Sequence, residues 1–363
     1  MSPLMSPRRA GTALVAAALA ASLVAGAGPA QAVSSSSPAG HGATWLARQL
    51  NKHGVIHNAQ FDFDDYGLTA DTVLGLKAIG GQKKAVKQAR RALARHVDDY
   101  TTFQTDRYAG PTAKLLVVAQ QTGANPRHFG GVNLVNRLAV RVATQAPIKG
   151  RIQDKSTSGD FANSIGQIFA VRGLLRAGDP SGTEALGFLL KQQCRSGFFR
   201  LDFDSDTTAP DQRCGKGDPA DADVTALAVV ELTAVAKGHG ALKRSLGHAV
   251  RWLKRNQKAN GSFGGSGPTS AANANSTGLA GWAFRTAGKC GSARDAAAWL
   301  AKLQIRGDVS GTPLAGDRGA IAYDHAAMKA AKRHGITQST RDQWRRAGAQ
   351  AAPALLALSR CRS

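Results

Sequence analysis

The chain has 363 residues, with 47 Lys and Arg against 24 Asp and Glu, which gives a formal net charge of +23 at pH 7. That length is enough for an ample hydrophobic core, and no second long apolar run follows the N-terminal segment, so no stable membrane anchor is expected. Nucleic-acid binding is not expected either, because the basic runs contain no interleaved aromatic residues.

Residues 1–32 have the organisation of a secretory signal peptide. Arg8 and Arg9 supply the basic start, Ala13 to Leu23 the apolar stretch, and Ala30-Gln31-Ala32 the small-residue cleavage site. Residues 33–42 are rich in Ser, Pro and Gly and are predicted to be a flexible leader, and residues 43–363 to form one domain. The sequence therefore predicts a secreted, extracellular protein.

A repeated unit of two helices organises residues 43–363. In each unit an amphipathic segment precedes a segment that is apolar all round, and such a segment is buried on both sides. The amphipathic segments cover residues 45–50, 82–97, 132–143, 184–193, 241–257 and 294–304. The buried segments are predicted to start near residues 66, 110, 163, 222, 275 and 320. Helix pairs at a spacing of roughly 50 residues indicate a repeat architecture. We therefore predict an all-α fold, an (α/α)6 toroid of six inner and six outer helices.

Short motifs within these units resemble a known superfamily. Trp252-Leu-x-x-x-Gln257, Gly261-x-Phe263-Gly264 and Asn275-Ser-Thr-Gly-Leu-Ala are similar to the repeats of the terpenoid cyclase and protein prenyltransferase α/α-toroid superfamily, the squalene-oxidase-type repeat. The resemblance implies the toroid fold. It leaves the activity open, because this scaffold hosts cyclases, prenyltransferases, vitamin B12 carriers and other binding proteins.

Four cysteines are an even number in a chain that is predicted to be exported, so disulfides are expected rather than a metal site. We predict the pairs Cys194–Cys214 and Cys290–Cys361. The sequence contains no Cys-x-x-Cys or His-x-x-x-His pair, and neither a metal nor a cofactor is expected. We expect a monomer.

The aspartates are concentrated where the buried helices begin. Asp at a helix N-terminus accepts hydrogen bonds from unpaired backbone N–H groups. Because all inner helices of a toroid start at the same end, these residues should form an acidic mouth. The predicted ligand-binding residues are Tyr66, Asp71, Asn163, Asp223, Asn275 and Asp324. We expect a small molecule or a cell-wall component to bind there, and the basic outer helices would be attracted to an anionic cell-wall polymer.

Two enzymatic alternatives stay open. Asp62-Phe63-Asp64-Asp65 matches the Asp-x-Asp-Asp motif of class II terpene cyclases, and this resemblance implies that Asp64 is the proton donor and that Asp65 supports it. Alternatively, Asp221 and Asp223 could act as acid and base in a polysaccharide-active toroid. Aromatic residues make up only 6% of the chain, which favours binding over cyclisation.

Overall fold

The computed structural model describes residues 33–361, which form a ring of paired helices. Its longer helices, in chain order, are α1 (Pro38–Arg48), α2 (Tyr66–Ile79), α3 (Lys83–Arg95), α4 (Val97–Thr101), α5 (Ala109–Gln121), α6 (Leu134–Ala139), α7 (Ser164–Ala177), α8 (Ser181–Lys191), α9 (Ala222–Leu232), α10 (Gly240–Asn256), α11 (Ala274–Thr286), α12 (Cys290–Lys302), α13 (His325–His334), α14 (Gln338–Ala351) and α15 (Ala357–Arg360). Two hairpins pair β1 (Ile56–Asn58) with β2 (Phe63–Asp65) and β3 (Thr102–Phe103) with β4 (Asp106–Arg107), both antiparallel. Short 3-10 helices cover Thr233–Val235, Gly267–Thr269 and Ala352–Leu356.

The inner layer of the ring consists of α2, α5, α7, α9, α11 and α14. Each packs against the next in this order, and α14 packs against both α11 and α2, which closes the circle. The outer layer consists of α1, α3, α6, α8, α10 and α12, each packed against inner helices. The predicted all-α toroid with six inner and six outer helices is therefore confirmed.

Local sequence signals fix the starts of the inner helices. Asp65, Asn163, Asp221 and Asn273 each accept a hydrogen bond from a backbone N–H in the first turn of the helix that follows. These bonds satisfy donors that the helix itself leaves unpaired. The caps explain why four inner helices, α2, α7, α9 and α11, begin within a residue of the predicted positions. The inner helix α5 also begins within a residue of its predicted position, at Ala109, but has no side-chain cap.

The seam of the ring depends on small residues. A Cβ atom added to Gly278 of α11 would lie 2.5 Å from the Cα atom of Ala351, and one added to Gly75 of α2 would lie 2.7 Å from the carbonyl oxygen of Ala349. Only glycine permits such close backbone approach. The last inner helix therefore fits between the first and the fifth without space for a methyl group.

Two boundaries differ from the prediction. The sixth inner helix was predicted near residue 320, but that segment, α13, lies outside the inner ring, and the sixth inner position is taken by α14 from Gln338. The flexible leader was predicted to extend to residue 42, but Ser37 caps α1, whose first residues Ala39 and Gly40 are already buried. The predicted signal peptide lies outside the described residues.

Both predicted cysteine pairs form disulfides. Cys194 pairs with Cys214 at a Cα–Cα distance of 4.9 Å, and Cys290 pairs with Cys361 at 5.2 Å. The second bond ties the segment after α15 to the first residue of α12, next to the seam. Between residues 33 and 361, no helix is both long enough and apolar enough to cross a membrane.

Candidate functional site

A central cavity of about 280 Å³ lies on the axis of the ring, and every inner helix contributes to its wall. Its polar lining consists of Asp71, Lys114, Asp223, Glu231, Asn275 and Gln350. Its apolar lining includes Leu74, Ile165, Phe169, Leu227, Leu279 and Trp282. Early residues of α2, α5, α7, α9 and α11 converge on this one space, so these five helices share a common N-terminal end, as predicted.

One wall of the cavity holds a partly buried ion pair, in which the Lys114 side chain is 18% and the Asp71 side chain 28% exposed. The Lys114 ammonium lies 2.8 Å from a carboxylate oxygen of Asp71 and 5.8 Å from the centre of the Phe169 ring. Burial alone lowers the pKa of Lys114, but the Asp71 carboxylate and the Tyr100 hydroxyl raise that pKa above its usual value. Lys114 therefore stays charged and neutralises Asp71.

A second ion pair lies deeper along α9. Glu231 is buried, and its carboxylate accepts a hydrogen bond from the guanidinium of Arg172 on α7. Burial raises the pKa of Glu231, and the Arg172 guanidinium opposes that shift. The two acids Asp71 and Glu231 thus each have a basic partner.

Among residues 33–361, Asp223 has no such basic partner. Burial raises the pKa of this carboxyl group to about 6, a shift that the Ser276 hydroxyl reduces and the neighbouring Asp221 increases. Asp221, in contrast, accepts hydrogen bonds from the Val224 amide (2.9 Å) and the Ser266 hydroxyl (2.6 Å). The neighbouring acids therefore differ: Asp221 is a satisfied helix cap, and Asp223 is a free carboxyl group at the cavity wall.

Two residues that line the central cavity each have a buried oxygen without a hydrogen-bond partner among the described residues. They are Oδ1 of Asp223 and Oδ1 of Asn275, each on the second residue of its helix, and the two helices α9 and α11 are neighbours. The Ser276 hydroxyl comes close enough to affect Asp223 but does not reach hydrogen-bonding geometry. In folded proteins such orphaned buried polar atoms are rare and mark sites for a missing partner.

A side lobe of about 390 Å³ adjoins the central cavity, and both spaces are lined by Lys114, Ile165 and Phe169. It lies between the starts of α5 and α7, where Tyr108 and the exposed Phe161 form part of its wall. The two spaces therefore share the wall formed by Lys114, Ile165 and Phe169.

Only some of the predicted site residues line the central cavity or the side lobe. Asp71, Asp223 and Asn275 line the central cavity, and Asn163 lines the side lobe. Tyr66 instead stacks on the His96 ring at 5.1 Å and lines neither space. Asp324 caps α13 by accepting a hydrogen bond from the Ala327 amide. Asp324 lines neither space, because α13 is not an inner helix.

The Asp-x-Asp-Asp motif lies on the β1–β2 hairpin and not in the cavity. An Asp64 carboxylate oxygen is 3.0 Å from Nδ1 of His57, with the Asp64 side chain 37% exposed. Asp65 caps α2 and forms an ion pair with Arg346 of α14 at 2.6 Å. A terpene cyclase acid must protonate a substrate inside an apolar cavity, and neither residue lines one here.

Sequence reasoning missed Lys114, Arg172 and Glu231. A signal for them was present, because each is a charged residue inside an otherwise apolar helix. Charged side chains are rarely buried unless they are paired.

Comparison with known proteins supports the fold. No protein-family model matches the sequence, and no curated protein does. Among solved structures, the type II terpene cyclase MstE from Scytonema is 15% identical with a TM-score of 0.59, and the match covers 90% of this chain and 98% of that one. The unsaturated glucuronyl hydrolase from Bacillus sp. GL1 is 12% identical with a TM-score of 0.57, covering 89% and 96%. A protein from Actinoplanes is 17% identical with a TM-score of 0.58, covering 88% and 98%. At these identities the likeness shows the α/α-toroid fold alone.

Proposed function

We propose that the chain binds a hydroxyl-rich small molecule, a saccharide unit, in the central cavity. The observation that carries this proposal is the pair of orphaned oxygens on Asp223 and Asn275. A buried polar group without a partner costs about 1–3 kcal/mol. A ligand hydroxyl placed between these oxygens would remove that penalty, which favours the bound state.

The charges of the cavity support a neutral polar ligand. Lys114 neutralises Asp71 and Arg172 neutralises Glu231, so only Asp223 remains, with its pKa near 6. A strongly charged ligand would find no unpaired group of opposite sign large enough to offset its desolvation.

The shape and the apolar lining support a ring-shaped ligand. Leu227, Leu279 and Trp282 offer apolar surface for the C–H faces of a sugar, and the volume of about 280 Å³ is near the lower end of ligand pockets, which span about 300–1,000 Å³. The side lobe gives a second unit of an oligosaccharide room beside Tyr108 and Phe161. The Bacillus neighbour, described as responsible for the degradation of glycosaminoglycan, shows that the same fold accommodates saccharides.

Saturation-transfer NMR and calorimetry with glucose, glucuronate, N-acetylglucosamine and their disaccharides test the proposal. We expect at least one saccharide to bind the wild type, and Asn275→Leu to weaken its binding about tenfold, which is about 1.4 kcal/mol. The control is Asn136→Leu, the same substitution on the exposed side of α6. If no saccharide binds, or if Asn275→Leu binds as well as the wild type, the proposal is wrong.

General-acid chemistry at Asp223 is a second candidate function. A carboxyl group with a pKa of about 6 carries a proton close to neutral pH, as a general acid requires. We then expect turnover of a bound glycoside to fall as the pH rises through 6. Asp223→Asn should abolish turnover and keep binding, whereas turnover that survives this substitution would exclude Asp223 as the acid.

We also propose that the protein acts outside the cell. The two disulfides support this location, since such bonds persist in oxidising compartments. N-terminal sequencing of protein from the culture medium should begin at Val33, and an uncleaved chain retained in the cells would contradict it.

A further inference from the structure

The exposed face of α3 carries a row of basic side chains. Lys84, Lys87, Arg91 and Arg95 follow one another at helical intervals of three or four residues, and all four are exposed. Within the described part of the chain none of them has an acidic ion-pair partner. The helix itself contains no Asp or Glu. Their mutual repulsion is therefore not compensated from within the protein.

The loop at residues 52–54 packs beside this row of basic side chains, and a groove lies between them. The Gln88 side chain donates a hydrogen bond to the carbonyl oxygen of Lys52 at 3.0 Å, and Arg95 donates one to the carbonyl oxygen of His53 at 3.3 Å. The loop can approach because Gly54 has a φ of 87°, and a Cβ at Gly54 would lie 2.9 Å from Gln88. Lys52 and His53 thus form the second side of a groove of about 510 Å³ along α3.

The groove lacks the groups that other anionic partners need. The large hydrophobic side chains exposed in the described residues are Phe61, Phe63, Phe103, Val140, Phe161 and Leu358, and none of them lines this groove. Membrane-surface binding buries apolar side chains in the headgroup region. Binding of single-stranded nucleic acid uses aromatic residues on which bases stack. A concave surface that offers only charge fits a flexible chain with closely spaced anionic groups and no bases.

We propose that the groove formed by α3 and residues 52–53 binds a linear phosphodiester polymer. Lysine and arginine side chains on both sides contact its phosphates, with charge spacing set by successive helical turns. This site lies on an outer helix and is independent of the saccharide proposed for the central cavity.

Fluorescence anisotropy with labelled poly(glycerol phosphate), measured over a range of salt concentrations, tests the proposal on the full mature chain. The variant Lys84→Gln/Lys87→Gln/Arg91→Gln should bind about 100-fold more weakly. The slope of log K against log salt should fall by about 2, because three phosphate contacts are lost at about 0.7 each. Melting temperatures check that each variant is folded.

Two further variants separate a specific groove from general attraction. Arg244→Gln/Arg251→Gln/Lys254→Gln removes the same number of charges from the outer helix α10 and should bind like the wild type. Gln88→Ala removes no charge but frees the loop that carries Lys52, so it should weaken binding about tenfold. Equal losses from the α3 and α10 variants, or wild-type binding by Gln88→Ala, would overturn the proposal. Tighter binding of oligo-dT or of phosphatidylglycerol vesicles than of poly(glycerol phosphate) would overturn it as well.

Discussion

The pKa of Asp223 makes the stability of the protein depend on pH in a defined direction. Burial raises this pKa from 3.8 to about 6, so between these values the native state holds the proton more firmly than the unfolded chain does. The wild type must therefore lose stability as the pH rises through this window. A shift of about two units at 1.36 kcal/mol per unit corresponds to about 3 kcal/mol at most.

Asp223→Asn removes this ionisation and keeps the shape of the side chain. For about 330 ordered residues, the unfolding entropy is about 0.7 kcal/mol/K, so 3 kcal/mol equals about 4 °C in Tm. Relative to the wild type, the variant should gain about 4 °C in Tm between pH 4 and pH 8. Differential scanning calorimetry measures this gain, and Asp324→Asn, on a residue that caps α13, controls for the loss of one carboxylate. Parallel Tm curves for Asp223→Asn and the wild type would refute the assignment of Asp223 as a buried, unpaired carboxyl group.

The remaining predictions concern packing and the ion pair. Gly278→Ala places a methyl group 2.5 Å from the Ala351 Cα and should lower the free energy of unfolding by about 1–3 kcal/mol. Gly187→Ala on α8, where a Cβ would have nothing within 4 Å, should raise the free energy of unfolding by about 0.5–1 kcal/mol. Thermal melting checks both, and effects of the same sign would contradict the close seam. Asp71→Asn removes the carboxylate that pairs with the partly buried Lys114 and should cost about 1.5–3 kcal/mol, and adding Lys114→Met should recover part of that loss. A cost below 1 kcal/mol, or no recovery in the double variant, would show that water reaches this pair.

The fold could be predicted where a helix has a clear sequence signal, either a capping residue or an apolar run. Four inner helices combine an apolar run with a capping residue such as Asn163 or Asp221, and a fifth, α5, has the apolar run alone; the starts of all five were predicted to within a residue. The sixth inner helix, α14, has neither a side-chain cap nor an uninterrupted apolar run. Its first turns carry charges because they extend past the starts of its neighbours, where Arg346 meets Asp65. Its buried part is built of small residues, such as Ala347 and Gly348, and the α-helix ends at Ala351, where a 3-10 helix that contains Pro353 follows.

The site could be predicted only where residue type and helix position coincide. Asp223 and Asn275 were found because both are polar and lie in a first turn. Lys114 lies mid-helix, and nothing in the sequence tells whether such a residue points to the axis or outward. Asp324 was assigned to the cavity for the same reason: α13 has the cap and the terminal glycine of an inner helix, but only two of its residues are buried and it lies outside the inner ring. Local signals specify that a helix forms, and tertiary packing decides where it lies.

Because the last inner helix closes the ring, a newly made chain completes its central cavity late in folding. Synthesis proceeds from the N-terminus, and the axial space lacks its sixth wall until residues 338–361 have emerged, with α2 and α11 still separated. Ala349 and Gln350, which line that wall, are made after every other residue of the cavity lining. The cavity is therefore complete only once α14 has been made and has packed between α2 and α11.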